Sequence, residues 1–303
     1  MEQTPAPPKA TVLVLSYNSA PALRRCLAAL DASHGRDQFE VIVVDNGSMD
    51  ESPRLDIEFP GSTFMRLPKY FGATRALNIG MRTAAADFIF FLAPEVVVEP
   101  DTVVALLARI EADESIAAVC PMLVDESGVP VQEARRLPSL DDMGAVARDG
   151  DVLPFHDLHA SAESIAVEYP GRRAVMYRKF FIRALNWFDE RYGDFGADLE
   201  LAFQARRSQK KIVLYPGIRA KVAADGVAQF DNDALAALSA DRVHGAAAFA
   251  GKHGGFVKGL GVRLSSMVHA LGQAVSLQRP GFQVKLLSAL LGGAKIDGTT
   301  RTI

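Results

Sequence analysis

The sequence predicts an α/β protein built on a mostly parallel sheet. Apolar runs of strand length alternate with amphipathic stretches of helix length, as in βαβ units. Three of these runs, at 11–16, 40–45 and 87–92, lead into polar residues. Such strand ends form the edge at which parallel sheets bind ligands. With 49% hydrophobic and 23% charged residues among 303, the chain is globular and long enough to bury a large core.

The first predicted elements form a strand–helix–strand unit. Strand 11–16 precedes a helix at 20–30, because Leu23, Leu27 and Leu30 fall on one helical face. Strand 40–45 then completes a parallel crossover. The next elements continue the alternation and comprise a strand at 62–67, a helix at 74–85, a strand at 87–92, a helix at 101–113 and a strand at 116–124.

The second half of the chain is less regular. Residues 125–170 are assigned as loops over the sheet, and 171–178 return to apolar character. Further predicted elements are helices at 180–186 and 198–207, a short strand at 212–215 stopped by Pro216, and mainly helix from about 233 with a break at Pro280–Gly281. The predicted organisation is a loose arm at 1–9, a body at 10–230 and a helical, basic extension at 231–303.

Charge is divided unevenly along the chain. Residues 1–241 hold 25 basic and 35 acidic residues, whereas 242–303 hold eight basic residues and one acid. The acidic body argues against nucleic-acid binding, and the basic tail suits an anionic membrane surface. No signal peptide or bilayer-spanning run is found, and Cys26 and Cys120 lack metal spacing. We expect a cytoplasmic protein, peripheral at the inner face of the plasma membrane if the tail binds lipid.

The strand ends carry the candidate binding residues. In VIVVDNGSMD, Asp45 is placed to accept hydrogen bonds from a base or ribose, although Asp-Asn-Gly-Ser is also an ordinary structural turn. In TVLVLSYN, Tyr17 is either a ligand contact or half-buried packing. Glu95 follows the third strand. Asp198 opens a predicted helix, where it is either a helix cap or a functional carboxylate.

Four blocks in order resemble the inverting glycosyltransferases of family 2, which have the GT-A fold, and within them the rhamnosyltransferase-like branch. The resemblance covers roughly residues 10–225. The blocks are LSYNSAPALRRCLAAL, FEVIVVDNGSMDES, YFGATRALNIGMRTAAADFIFFL and GRRAVMYRKFFIRALNWFDERYGDFGADLELAFQARRSQKKIVLYP. The resemblance implies that Asp198 is the catalytic base of a Glu-Asp pair whose Glu is Ala197 here. It also implies a nucleotide site formed by Ser16, Tyr17, Asn18, Asp45 and Arg75.

The chain departs from that family at its metal motif. The family's Asp-x-Asp aligns with Ala93-Pro94-Glu95, and no His occurs at 219–225, where the family has a metal-binding one. Three outcomes remain open: Glu95 still holds Mg²⁺ or Mn²⁺ with the diphosphate, cations such as Arg219 or Lys221 replace the metal, or the site is inactive. We expect the strand ends with Tyr17, Asp45 and Glu95 to converge on one crevice, opposite Asp198.

The predicted activity is transfer of a sugar, with inversion, from a nucleotide-diphosphate sugar to a glycan or lipid-linked acceptor during envelope polysaccharide synthesis. A catalytically silent nucleotide-binding or partner protein is the alternative, because of the altered metal motif. A dinucleotide oxidoreductase is disfavoured, since LSYNSAP is not a glycine-rich fingerprint.

The tail contains an apolar stripe at helical spacing between 256 and 291, with Lys258, Arg263 and Lys285 nearby. The stripe predicts a helix packed on the body, a membrane-surface helix pair, or an oligomer contact.

Overall fold

The computed structural model describes residues 7–150, 152–158, 161–223, 230–276 and 278–293. Its strands are β1 Ala10–Ser16, β2 Phe39–Asp45, β3 Thr63–Arg66, β4 Phe88–Leu92, β5 Val96–Val98, β6 Ile116–Val124, β7 Ile165–Val167, β8 Ala174–Arg178 and β9 Lys211–Val222. Its helices are α1 Ala20–Asp31, α2 Ala73–Thr83, α3 Thr102–Ala112, α4 Met143–Asp149, α5 Lys179–Ala184, α6 Ala197–Arg207, α7 Asn232–Gly254, α8 Phe256–Val275 and α9 Pro280–Gly292. The predicted α/β class is confirmed.

One sheet runs through the molecule in the order β3-β2-β1-β4-β8-β6-β9-β5, and β7 also pairs with β9. The half from β3 to β4 is parallel, which confirms the predicted crossover between β1 and β2. Strand β8 is antiparallel to both of its neighbours, β4 and β6. Side chains alternate across the sheet: Leu13 enters the core on one face, and Val12 and Val14 enter the core on the other.

Two local predictions are wrong, and a third is displaced. Residues 125–170 include helix α4 and strand β7, which their sequence periodicity does not reveal. Strand β9 continues through Pro216, because its pairing with β6 shifts register between Pro121 and Met122, and an irregular ladder tolerates a missing N–H donor. The predicted helix break at Pro280–Gly281 is found a few residues earlier, since α8 ends at Val275 and α9 begins at Pro280, where proline suits the first turn of a helix.

The C-terminal helices pack on one another, and α7 also packs on α4 and on the turn Glu190–Tyr192. Helix α7 contributes Val243, Ala246, Phe249 and Ala250 to the same core as the strands. Helix α8 contacts its neighbours through a face of small and medium residues, namely Gly259, Val262, Ser266 and Ala270. The arm and the end of the extension lie partly outside the described residues, so the boundaries at 9 and 230 stay predictions.

Candidate active site

A charged cavity of about 450 Å³ lies between β1, β4, α2 and two irregular segments, 132–135 and 169–173. Apolar side chains of the sheet and of α2, among them Leu13, Leu77 and Phe91, form part of its lining. The rest of its lining includes Glu95, Glu133, Arg135, Arg172 and Arg173. Three guanidinium groups against two carboxylates favour an anionic ligand.

Asp198 lines a smaller cavity of about 50 Å³ that shares Arg172 and four other lining residues with the charged cavity. The N-cap of α6 is Gly196, so Asp198 lies inside the first turn and does not cap the helix. Its Oδ2 accepts a 2.5 Å hydrogen bond from the Tyr169 hydroxyl and lies 3.7 Å from Nε of Arg172. Among the described residues Oδ1 has no hydrogen-bond donor, and the side chain is 22% exposed. One oxygen of a well-oriented carboxylate therefore stays available.

A buried carboxylate organises the arginines of the cavity. Oε1 of Glu133 accepts hydrogen bonds from the backbone N–H groups of Arg172 (2.9 Å) and Arg173 (3.0 Å). Gly171 permits this approach, since a Cβ there would lie 2.1 Å from the Glu133 side chain and φ is +84°. Burial raises the pKa of Glu133, although Arg173 opposes this effect. The turn thus directs two consecutive guanidinium groups toward one cavity.

The ends of β1 and β2 form a second polar region. Asp45 is 2% exposed; its Oδ2 accepts a hydrogen bond from the Ser48 N–H at 3.2 Å, as a structural turn requires. Within the part of the chain that the structure describes, Oδ1 of Asp45 and Nδ2 of Asn46 are nevertheless buried without a hydrogen-bond partner. Burial raises the pKa of Asp45. Buried unpaired polar atoms are rare, and an acceptor next to a donor suits the edge of a nucleobase or a ribose hydroxyl.

Tyr17 belongs to an aromatic group beside Asp45. Its ring stacks on Phe230 with centroids 5.5 Å apart and meets the edge of Tyr70 at 4.6 Å. The Tyr70 hydroxyl donates to Asp194, which also lines the smaller cavity and accepts a hydrogen bond from the N–H of Ala73. Tyr70 and Asp194 therefore connect the aromatic group to the cavity of Asp198.

The remaining predicted residues lie apart from these cavities. Ser16 is buried and hydrogen-bonds Ser19 in the turn between β1 and α1, whereas Asn18 accepts from the N–H of Met49 and so links the segments that follow β1 and β2. Arg75 is exposed, with its guanidinium over the Phe71 ring. Arg219 and Lys221 occupy exposed positions of β9 and line neither cavity. The expected convergence on one crevice is therefore observed only in part. Glu95 and Asp198 line two adjoining cavities, whereas Tyr17 and Asp45 line neither and lie at the neighbouring aromatic group.

The model of the family described as glycosyl transferase family 2 matches residues 11–179. The chain belongs to glycosyl transferase family 2. An N-acetylglucosaminyl-diphospho-decaprenol L-rhamnosyltransferase of Mycobacterium tuberculosis is 26% identical over 210 residues, which cover 63% of this chain and 68% of that protein. The predicted family is confirmed, whereas the rhamnosyltransferase-like branch stays a prediction that this similarity supports.

Solved structures confirm the GT-A fold of the family 2 chain. GalNAc-T7, solved with UDP, GalNAc and Mn²⁺, has a TM-score of 0.59 and 15% identity over 73% of this chain, which spans only 44% of that one. The Pyrobaculum calidifontis mannosyltransferase PcManGT, solved with GDP-Man and Mn²⁺, has a TM-score of 0.53 and 17% identity, covering 94% of this chain and 88% of that one.

The residues present do not fit the divalent metal that family 2 implies. No group of three or more His, Cys, Asp or Glu side chains able to hold a metal occurs within the described ranges. Oε1 of Glu95, the surviving carboxylate of the motif, lies 3.5 Å from Nε of Arg173. A cation at Glu95 would meet that guanidinium at close range and be repelled. Ala93 offers no ligand, and Pro94 has an apolar side chain.

Sequence reasoning missed several residues of this family 2 site. Tyr169 and Glu133 lie in the stretch assigned as loops. Arg172 and Arg173 lie in the fourth block of the family resemblance, which assigns them no role. One signal was available for the arginines, since Gly171-Arg172-Arg173 places two cations directly before the apolar run of β8. A glycine followed by charge at a strand start indicates a turn with a close approach. No comparable signal marks Tyr169.

Proposed function

We propose that the protein transfers a sugar, with inversion, from a nucleoside diphosphate sugar to a hydroxyl group of a glycan or lipid-linked acceptor. The observation that carries the proposal is the Asp198 carboxylate, oriented by Tyr169 beside a cavity rich in arginine. Membership of family 2 supports sugar transfer, and the decaprenol-linked rhamnosyltransferase supports a lipid-linked acceptor in envelope polysaccharide synthesis.

In this mechanism one displacement makes and breaks the bonds at the anomeric carbon. The acceptor oxygen forms a bond to that carbon while Oδ1 of Asp198 takes the hydroxyl proton. The bond from the anomeric carbon to the diphosphate oxygen breaks, and its electron pair leaves with the nucleoside diphosphate. Attack from the face opposite the leaving group inverts the configuration. Asp45 and the aromatic group around Tyr17 hold the nucleoside.

The test is turnover of a panel of UDP-, GDP- and dTDP-sugars by the purified chain, with hydrolysis and transfer to a prenyl-diphosphate sugar followed by chromatography. We expect one donor to be consumed and NMR of the product to show inverted anomeric configuration. Retained configuration would contradict the assignment of Asp198. Nucleotide binding without turnover of any donor would favour the silent binding protein, and absence of both would refute the proposal.

We also propose that α8 places the enzyme on an anionic membrane. Among the described residues, no helix combines the length and apolar character needed to cross a bilayer. Most of the predicted stripe of α8 does not pack on the body, although its member Met267 packs against the core. The exposed members are Val257, Leu260, Leu264, Val268, Leu271 and Val275, and these and the neighbouring Phe256 have exposures of 41–80%. At about 100° per residue they lie within an arc of about 120° on a face away from the packed one.

The charge around this apolar face matches an anionic lipid surface. Residues 255–293 contain Lys258, Arg263, Arg279 and Lys285 and no acidic residue. Two of these pair with acids of other elements, Lys258 with Asp141 and Lys285 with Asp233. Exposed apolar side chains bordered by basic residues are typical of helices that lie in the membrane interface.

Liposome flotation tests whether the exposed face of α8 binds an anionic membrane. The chain should float with vesicles containing anionic lipid and less with neutral ones, and Val268→Glu should abolish flotation. Ser265→Glu adds the same charge to α8 outside the stripe and should float more than Val268→Glu. Failure to float with either vesicle would refute the proposal, and a concentration-dependent dimer under those conditions would assign the face to a second copy.

A further inference from the structure

Ala93, where the family has a metal ligand, lies directly opposite Arg173 on the neighbouring segment. Strands β4 and β8 pair with Leu92 opposite Ala174, and beyond the last strand pair the N–H of Ala93 donates to the carbonyl of Arg173 at 2.7 Å. Ala93 stands where the family motif has its first Asp. The residue facing it across the ladder thus brings a positive charge to a position that has lost a negative one.

The Arg173 side chain lies close to two carboxylates and remains partly exposed to solvent. Its Nε lies 3.5 Å from Oε1 of Glu95, and one terminal nitrogen lies 3.3 Å from Oε2 of Glu133. The side chain is 40% exposed and lines the charged cavity beside Arg172 and Arg135. The guanidinium thus lies at ion-pair distance from two carboxylates on different segments, and no hydrogen bond between its side chain and another described residue has to be broken when an anion binds.

We propose that Arg173, assisted by Arg172, takes the place of the divalent metal and binds the diphosphate of the donor directly. This inference rests on the proposed function. A guanidinium donates two parallel hydrogen bonds to phosphate oxygens and carries a permanent charge. It therefore neutralises the negative charge that the diphosphate gains as the anomeric C–O bond breaks. Arg219 and Lys221, considered for this role from the sequence, line neither cavity.

Calorimetric titration of the purified wild-type chain with UDP, GDP and dTDP, in EDTA and in Mn²⁺, tests the inference. We expect at least one nucleotide to bind in EDTA, with an affinity that Mn²⁺ changes less than threefold. Binding that requires Mn²⁺ would overturn the inference and leave the proposed function standing. Absence of binding in both buffers would refute the proposed function itself.

Two substitutions distinguish the role of Arg173 in nucleotide binding from that of Glu95. Arg173→Gln should weaken nucleotide binding in EDTA about 10- to 100-fold, because a charge-assisted pair of hydrogen bonds is lost. Glu95→Gln removes a competing partner of Arg173 and should bind nucleotide at least as tightly as the wild type. A metal role for Glu95 predicts the reverse, so a tenfold weaker Glu95→Gln variant would overturn the inference. Arg207→Ala, on the exposed end of α6, is the matched control for a lost surface arginine.

Discussion

The region at the ends of β1 and β2 and the charged cavity beside β4 place their polar groups in different surroundings. At β2, Oδ1 of Asp45 and Nδ2 of Asn46 are buried without a hydrogen-bond partner among the described residues. In and beside the cavity, Oε2 of Glu133 also lacks a hydrogen bond, but Glu95, Glu133 and Asp198 all lie within ion-pair distance of an arginine. The first region is suited to a neutral group that brings its own donors and acceptors, and the second to an anion that competes for guanidinium groups.

The largest expected effect separates chemistry from binding. Asp198→Asn removes the proposed base while keeping the shape of the side chain, so kcat should fall about 10²- to 10⁴-fold. Nucleotide affinity, measured by calorimetry, should change less than threefold, because the nucleoside is held elsewhere. A variant with full turnover would remove Asp198 from the mechanism.

A second carboxylate of α6 provides a structural counterpart. Glu200 is buried and accepts hydrogen bonds from Tyr192, Gln204, Lys252 and His253. Burial alone raises its pKa, but these hydrogen bonds outweigh burial and lower the pKa to about 2 from 4.5. At about 1.4 kcal/mol per pKa unit, the charged form stabilises the fold by about 3 kcal/mol.

Glu200→Gln should therefore lower the free energy of unfolding by about 3 kcal/mol at pH 7, measured by urea denaturation. Because the folded pKa is depressed, the contribution is complete above pH 4.5 and is lost as the pH falls toward 2. The difference between variant and wild type should shrink along that range. A difference that is constant with pH would contradict the role of the charge, and Asp198→Asn, on the same helix, is the control for stability.

Asp45→Asn tests the nucleotide region. The asparagine side chain has one acceptor oxygen in place of two, so it cannot accept from both the Ser48 N–H and a ligand. We expect affinity for the bound nucleoside diphosphate to fall about 10- to 100-fold, equivalent to about 1.5–3 kcal/mol. Turnover at saturating donor should stay within a few fold of the wild type. Asp50→Asn, an exposed carboxylate of the same loop, is the matched control. Equal losses of affinity in both variants would indicate that the two carboxylates act only by maintaining the conformation of the loop.

The smallest expected effect concerns the orientation of Asp198. Tyr169→Phe removes the hydroxyl donor and should lower kcat about 3- to 10-fold, as loss of one hydrogen bond of about 1 kcal/mol implies. Tyr177→Phe, which alters the small cavity of Asp198 but removes no hydrogen bond to that carboxylate, should leave kcat unchanged. A loss as large as that of Asp198→Asn would make Tyr169 a direct participant.

The sequence predicted the first region far better than the second. Strands β1, β2 and β4 were predictable because apolar runs ending in polar residues are a local signal, and Asp45 lies within such a run. Glu133 and Tyr169 join the site through contacts between segments distant along the chain, which no local pattern encodes. The stripe of α8 was visible as apolar, but its exposure follows from packing through the opposite, small-residue face.

The backbone hydrogen bond between Ala93 and Arg173 has an evolutionary consequence. Two positions far apart in the gene are neighbours across one ladder, so a change at either alters the charge that the other experiences. An ancestor that exchanged metal for arginine would have had to alter both, and intermediates with only one change would hold either a carboxylate paired with the arginine or neither charge. Relatives should therefore vary at these positions together, as a pair inherited in one of two states.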